Sequence, residues 1–340
     1  MRTKIWKILI AGIMTCVMGA IFCAQSQAQD IWKREIDAAK NMIWEEKLAK
    51  EIGFLADTLC KGRGTGTKGS VEAARWITEK FKRTGMYRFG DTYVKHVWTG
   101  KGVVGHNIMG MVPGSLKSPC DRYIVIGAHY DHIGQLNGKV YPGADANASG
   151  VVAMASLSEM FTVLRMLGKS LGHSLIFVAF DAKELDMAGS HAFWRMIQEG
   201  DLKDPLSGRK ITADKIDLMV NIDQIGSTLS PLSKDRDDFM IMLGEHSLPH
   251  KKRGLLEECN RRYGIGMELD LTYYGSENFT RIFYRLSDQK VFVDNGIPAV
   301  MFTSGITMNT NKTRDTAASL DMKILRKRIF LIFHWIDKML

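Results

Sequence analysis

Much that would mark a special class of protein is missing from this chain. Its 340 residues hold only seven prolines, and no internal repeat or flexible linker is visible. That excludes collagen and a disordered tail protein. Cysteine is scarce as well: Cys16, Cys23, Cys60, Cys120 and Cys259 are too widely spaced to form a disulfide framework. Charge of one sign is not concentrated anywhere, although Lys and Arg outnumber Asp and Glu by nine. What remains is 45% hydrophobic and 24% charged, the balance of a globular protein and not of a polytopic membrane protein or a coiled coil.

The first thirty residues account for part of the surplus. Arg2, Lys4 and Lys7 precede an almost wholly apolar run from Ile8 to Ala24, and Ser26-Gln27-Ala28 supplies small residues where a signal peptidase reads. This pattern predicts a secretory signal cut after Ala28. The competing reading is a membrane anchor, but the apolar run falls short of the roughly 20 residues a spanning helix needs. A lipidated cysteine is not expected, because Thr15 precedes Cys16 and Phe22 precedes Cys23. Cleavage leaves 43 basic residues against 37 acidic ones and removes two cysteines, so at most one bridge can form. The cluster of Lys323 and Arg326-Lys327-Arg328 beside Ile329–Phe333 reads as the solvated face of a terminal helix. Neither nucleic acid nor, after cleavage, a membrane is an expected partner. The mature protein is expected in the periplasm or the extracellular medium.

Strand and helix patterns alternate. Tyr123–Ala128, Leu175–Phe180, Leu218–Ile222 and Ala299–Thr303 are short apolar runs ending in polar residues, as buried parallel strands do. Asn107–Val112 alternates and reads as an edge strand. Helical patterns cover Val151–Leu167, Ser190–Ile197, Leu255–Tyr263 and Ile324–Ile336. The order predicts an α/β fold, a mostly parallel open sheet covered by helices on both faces. It forms one domain from residue 29 to 340, with a helical segment from Ile31 to Ala56 packed onto it. The glycine run of Gly62-Arg63-Gly64-Thr65-Gly66-Thr67-Lys68-Gly69-Ser70 has dinucleotide-motif spacing, but no strand precedes it. It reads as a tight loop entering a helix capped by Ser70.

Ligands in such sheets sit at the carboxyl ends of the strands. His129, Asp131 and His132 follow the first run, Asp181, Lys183 and Glu184 the second, and Asp223 the third. His129 and Asp131 would share a face by the period of two. One such cluster is ordinary loop chemistry, while three at successive strand ends predict a site. His132 and His191 read as ordinary loop and helix residues.

Six runs in order, IVIGAHYDHIG, YPGADANASG, FVAFDAKELDMAGS, NIDQIG, GIPAVMF and Asp315-Thr316, resemble metallopeptidase family twenty-eight. These are the di-zinc aminopeptidases, with the glutaminyl cyclases as relatives, and the glycine run is similar to theirs too. The resemblance implies a three-layer sandwich in which two zinc ions activate a water and a Glu moves its proton. It makes His129, Glu184 and Asp223 metal ligands and Asp131 the carboxylate that orients His129.

At four places the chain departs from the family. The bridging Asp is replaced by Ala146, beside Asp145, and the general-base Glu by Lys183. The last His ligand is Asn311, and a further His is Gln289. A methyl group offers no lone pair, and a protonated amine accepts no proton. The resemblance therefore implies zinc in the family but none here, or one weakly bound metal. In that second case Asp145 or Glu184 could join His129 and Asp223, and the protein would be an aminopeptidase with a mono-metal site. The leading expectation is a catalytically impaired binding protein with a pocket for peptide N-termini or small amines. Glutaminyl cyclisation suffers from the same losses. Lys183 is expected to pair with Glu184, Asp223 or Asp131 and so replace the lost metal charge; the alternative is a Lys reaching into solvent.

Overall fold

In the computed structural model, residues 33–57, 59–100, 102–114 and 121–340 are described. The signal-peptide expectation for residues 1–28, and Cys120, lie outside them. Nine strands form one sheet in the order β1-β3-β7-β4-β8-β11-β9-β10, with β2 beside β3. They are β1 Tyr87–Arg88, β2 Val94–Trp98, β3 Val104–Val112, β4 Tyr123–His129, β7 Ser174–Phe180, β8 Ile216–Ile222, β9 Phe239–Leu243, β10 Glu268–Asp270 and β11 Ala299–Thr303. A small hairpin of β5 Gly134–Leu136 and β6 Lys139–Tyr141 stands apart. The central strands β7, β4, β8 and β11 run parallel, so their carboxyl ends share one rim. All seven residues of β4 and of β7 are buried, which is why they read as unbroken apolar runs.

Helices cover both faces. One core joins α1 (33–40), α2 Glu45–Leu55, α3 Lys68–Thr84, α4 Gly150–Met166, α6 Leu255–Arg262 and α9 Met322–Met339 to the sheet. The other holds Phe193 and Trp194 of α5 Ala188–Glu199 and Phe292 of α8 Gln289–Asp294. The helix α7 Glu277–Phe283 places Phe283 against a third, smaller cluster of Ile241, Leu243, Tyr273, Tyr284 and Met301. The helix α4 starts at Gly150 because nothing larger fits: a Cβ there would lie 2.3 Å from Asn147 Oδ1 and 2.5 Å from the Ile222 carbonyl oxygen. Gly150→Ala should therefore cost about 1–3 kcal/mol by overpacking, read as a lower urea midpoint at unchanged slope.

Four expectations need correction. The run at Asn107–Val112 is not an edge strand: β3 spans Val104–Val112 and pairs antiparallel with β7 on one side and with β1 and β2 on the other. The cap of α3 is Thr67, whose hydroxyl accepts from the Ser70 N–H. The expected helix from 31 to 56 breaks at 41–44 into α1 and α2. The basic cluster of α9 is not simply solvated. Arg328 is fully buried and donates to the carbonyls of Phe239, Ile225 and Ser227, while Lys327 pairs with Asp238 at 2.5 Å. Amphipathic spacing marks where a side chain points, but it does not show that three strand-end carbonyls wait there for a guanidinium. Cys60 and Cys259 are buried free thiols.

Candidate functional site

The rim is assembled from main-chain geometry first. Beyond β4, the Asp131 carboxylate accepts the backbone N–H of Lys183 on one oxygen and of Glu184 on the other, both at 3.0 Å. It thereby ties the loop after β7 to the end of β4. Asn147 ties the next two elements: its amide nitrogen donates to the carbonyls of His129 and Ile222, and its oxygen accepts from Gly150 N–H and Gln224 N–H. Asp315 accepts the N–H groups of Asp145 and Ala146. Arg63, fully buried, reaches the carbonyls of Leu55, Tyr130, Pro142 and Gly143 at 2.7 Å each. Its fork of donors holds the glycine loop, the β4 end and the loop before Ala144 at once.

On this frame the strand ends bring His129 and Asp223 together. The His129 ring donates Nδ1–H to the Asp131 carbonyl oxygen at 3.1 Å and meets Asp223 Oδ1 through Nε2 at 3.3 Å. Burial depresses the imidazole most strongly and Lys183 opposes its charge, but the Asp223 carboxylate and the hydrogen bonds to Asp131 and Asp223 together carry it up to about 10. Asp223 is pushed up by burial and brought well below the usual carboxylate range by His129, Lys183 and the Ser287 hydroxyl, which donates to its Oδ2 at 2.7 Å. Buried Asp131 is likewise held low by His129 and the two N–H groups.

Lys183 turns inward. Its Nζ lies 3.3 Å from Glu184 Oε1. Burial opposes its charge, and Asp223, Glu184, Asp131 and Asp288 more than restore it, so its pKa is raised. A cavity of about 190 Å³ brings Lys183, Glu184 and Asp223 together with Ala146 and Asn311. Tyr273, Phe283, Leu286, Met301 and Ile306 form its apolar wall. On the other side of Glu184, an open groove of about 750 Å³ runs between the glycine loop and His132–Gln135.

Asp145 and Gln289 are set apart from this group. Asp145 Oδ1 accepts from Gly226 N–H at 2.7 Å and from Ser149 Oγ at 3.0 Å. Burial and the neighbouring Asp315 raise it to about 7. Gln289 is buried between Asn221, whose amide donates to it, and the Tyr284 carbonyl, to which it donates. Two contributors were not singled out as site residues from the sequence. Ser287 orients Asp223, and Asp288 lies fully buried, its pKa raised to about 6 by burial. Both immediately precede Gln289 in the sequence.

A pair of zinc ions does not fit these residues. Where the family resemblance implies a bridging carboxylate, Ala146 offers only a methyl group. An ammonium points among the remaining carboxylates. Among the described residues no group of three or more His, Cys, Asp or Glu side chains converges to hold a metal.

The model of Peptidase family M28 matches residues 107–336. No curated protein matches the sequence. Among solved structures, the LapA aminopeptidase of Legionella pneumophila is 18% identical, with a TM-score of 0.66 over 90% of this chain and 75% of that one. BSAP, a zinc aminopeptidase from Bacillus subtilis, is 11% identical, with a TM-score of 0.60 over 86% and 95%. Porphyromonas gingivalis glutaminyl cyclase is 14% identical, with a TM-score of 0.63 over 88% and 99%. All share the fold of this chain.

Proposed function

Since the chain belongs to peptidase family M28, we propose that it is an exported member of that family in which hydrolysis has given way to binding. The observation that carries this reading is the Lys183 ammonium, 3.3 Å from Glu184, in the cavity where the family pattern has a general-base Glu. A group held protonated by four carboxylates cannot take a proton from water. It also adds a positive charge where a metal ion would be repelled. Lys183 and protonated His129 supply cationic charge to Asp131, Glu184 and Asp223, which would otherwise be costly to bury together.

The ligand class follows from the walls. The cavity admits one side chain of moderate size against Tyr273, Phe283 and Met301, and exposed Glu184 can receive an amine. The wider groove beyond Glu184 gives the rest of a peptide a path. The protein therefore seats the N-terminal residue of a peptide, or a small amine, without cleaving it. Export rests on the signal pattern of residues 1–28.

Metal content and turnover test this reading together. Purified protein dialysed against micromolar zinc is expected to retain fewer than one zinc per chain and to leave an aminoacyl chromogenic substrate intact. Two zinc per chain with turnover would end the proposal. One zinc with turnover would establish the mono-metal aminopeptidase instead, although Asp145 is engaged by Gly226 and Ser149.

A further inference from the structure

Away from the cleft, the sheet edge carries a second arrangement with metal chemistry. The outer strand β2 pairs only with β3, and the register sets His96 directly opposite His106. The main-chain groups of His106 point away from β2: its N–H donates to Asp181 Oδ2 at 2.8 Å, and its carbonyl accepts from the Tyr130 hydroxyl at 2.8 Å. The two histidines are thus a non-hydrogen-bonded antiparallel pair, the kind in which opposed side chains approach most closely. Their ring centroids are 5.2 Å apart, with planes at 60°. His96 is exposed and His106 half-buried. Among the described residues neither ring has a hydrogen-bond or ion partner; each has only the other.

We propose that His96 and His106 form a two-imidazole site for a borderline divalent transition ion, copper(II) by preference, on the outer edge of the sheet. Imidazole nitrogen suits copper, nickel and zinc, and copper(II) leads that series for a given nitrogen site. Calcium and magnesium are excluded by the absence of oxygen donors in the pair. Water completes the coordination, since both rings are open to solvent. Burial and the nearness of His96 hold His106 below the ordinary histidine range, so it is neutral at pH 7 and able to ligate. Because the ligands come from two strands, the ion staples β2 to the sheet, and binding favours the folded chain by mass action. The site uses none of the residues of the cleft and stands whether or not the cleft binds a ligand.

Copper(II) titrated into the metal-stripped full-length protein tests the site, followed by calorimetry and by electron paramagnetic resonance. The expected spectrum shows coupling to two equivalent nitrogens, and melting rises with added copper. His96→Ala or His106→Ala turns chelation into single-point binding, so either should weaken the site on the order of a hundredfold. His250→Ala, on a remote turn, should change nothing. Exposed His96 can be removed without disturbing the core, so His96→Ala decides the matter even if His106→Ala folds poorly. Copper affinity and spectra unchanged in His96→Ala overturn the proposal, as does a wild-type chain with no copper site of micromolar strength.

Discussion

The triple variant Ala146→Asp, Lys183→Glu, Asn311→His is expected to bind zinc at least on the order of a hundredfold more tightly than the unsubstituted chain. Positions 146, 183 and 311 line one cavity with Glu184 and Asp223, so the added donors converge on residues already there. Removing the Lys183 ammonium also releases Glu184, its partner at 3.3 Å. The backbone at 146 and 183 is held independently of the side chains there, by Asp315 at Ala146 N–H and by Asp131 at Lys183 N–H. The substitutions should therefore change donors without moving the frame. Competition with a chromophoric chelator measures the gain directly, and activity is not needed for the readout. Lys183→Glu alone should give only part of it, because the bridging position would still be a methyl group. A triple variant that folds and shows no tighter zinc binding would mean that the family positions have been misaligned onto this chain.

Arg63→Ala is expected to lower stability by about 3–5 kcal/mol, because it leaves several buried carbonyl oxygens without their donor. The guanidinium satisfies four carbonyl oxygens from three separate segments, and burial with only a few distant acidic groups brings its pKa down to about 10. It remains charged at pH 7. Without it, these oxygens lose their donor, at a cost of about 1–3 kcal/mol for each that neither water nor another donor reaches; Gly143 keeps the Ala148 N–H at 3.2 Å. Arg63→Lys should recover only part of the loss, since three donors on one nitrogen cannot span a fork-shaped set of acceptors. Urea midpoints of the three proteins check the order. Equal midpoints for wild type and Arg63→Ala would contradict the anchoring role.

The sheet was largely legible because β4, β7, β8 and β11 are buried on both faces, and such strands announce themselves as unbroken apolar runs. Observed ends differ from the sequence reading by one or two residues, as with β8, which begins at Ile216. The antiparallel strand β9 was passed over although its five residues are all buried and apolar. Nothing in composition says that it runs against β11, because direction is set by the long excursion between them. The strand β2 gave a weak signal, since of its five residues only Val97 is buried. At the site, the rim residues could be read from their places after strands. The ties between them could not. Asp131 serves two backbone N–H groups, and Asn147 joins His129, Ile222, Gly150 and Gln224. Apart from the local tie to Gly150, these contacts reach across 18 to 77 residues, and only folding brings them about.

Those ties divide the labour of the cleft in a way that bears on how such a chain can change over generations. The contacts at positions 146 and 183 that hold the frame run through main-chain N–H groups, received by Asp315 and Asp131. Main-chain donors are present whatever residue occupies the position, proline apart. A replacement of the side chain at 146 is therefore nearly silent for folding, while one at 183 costs the charge that Lys183 lends its neighbouring carboxylates but leaves the main-chain tie intact. Selection acting only on a folded product guards the side chain at 146 weakly. Arg63 and Asn147 are in the opposite situation, because the side chain itself makes the bonds. In such a scaffold, inherited variation collects first where the side chain makes no frame contact, and last at residues such as Arg63 and Asn147.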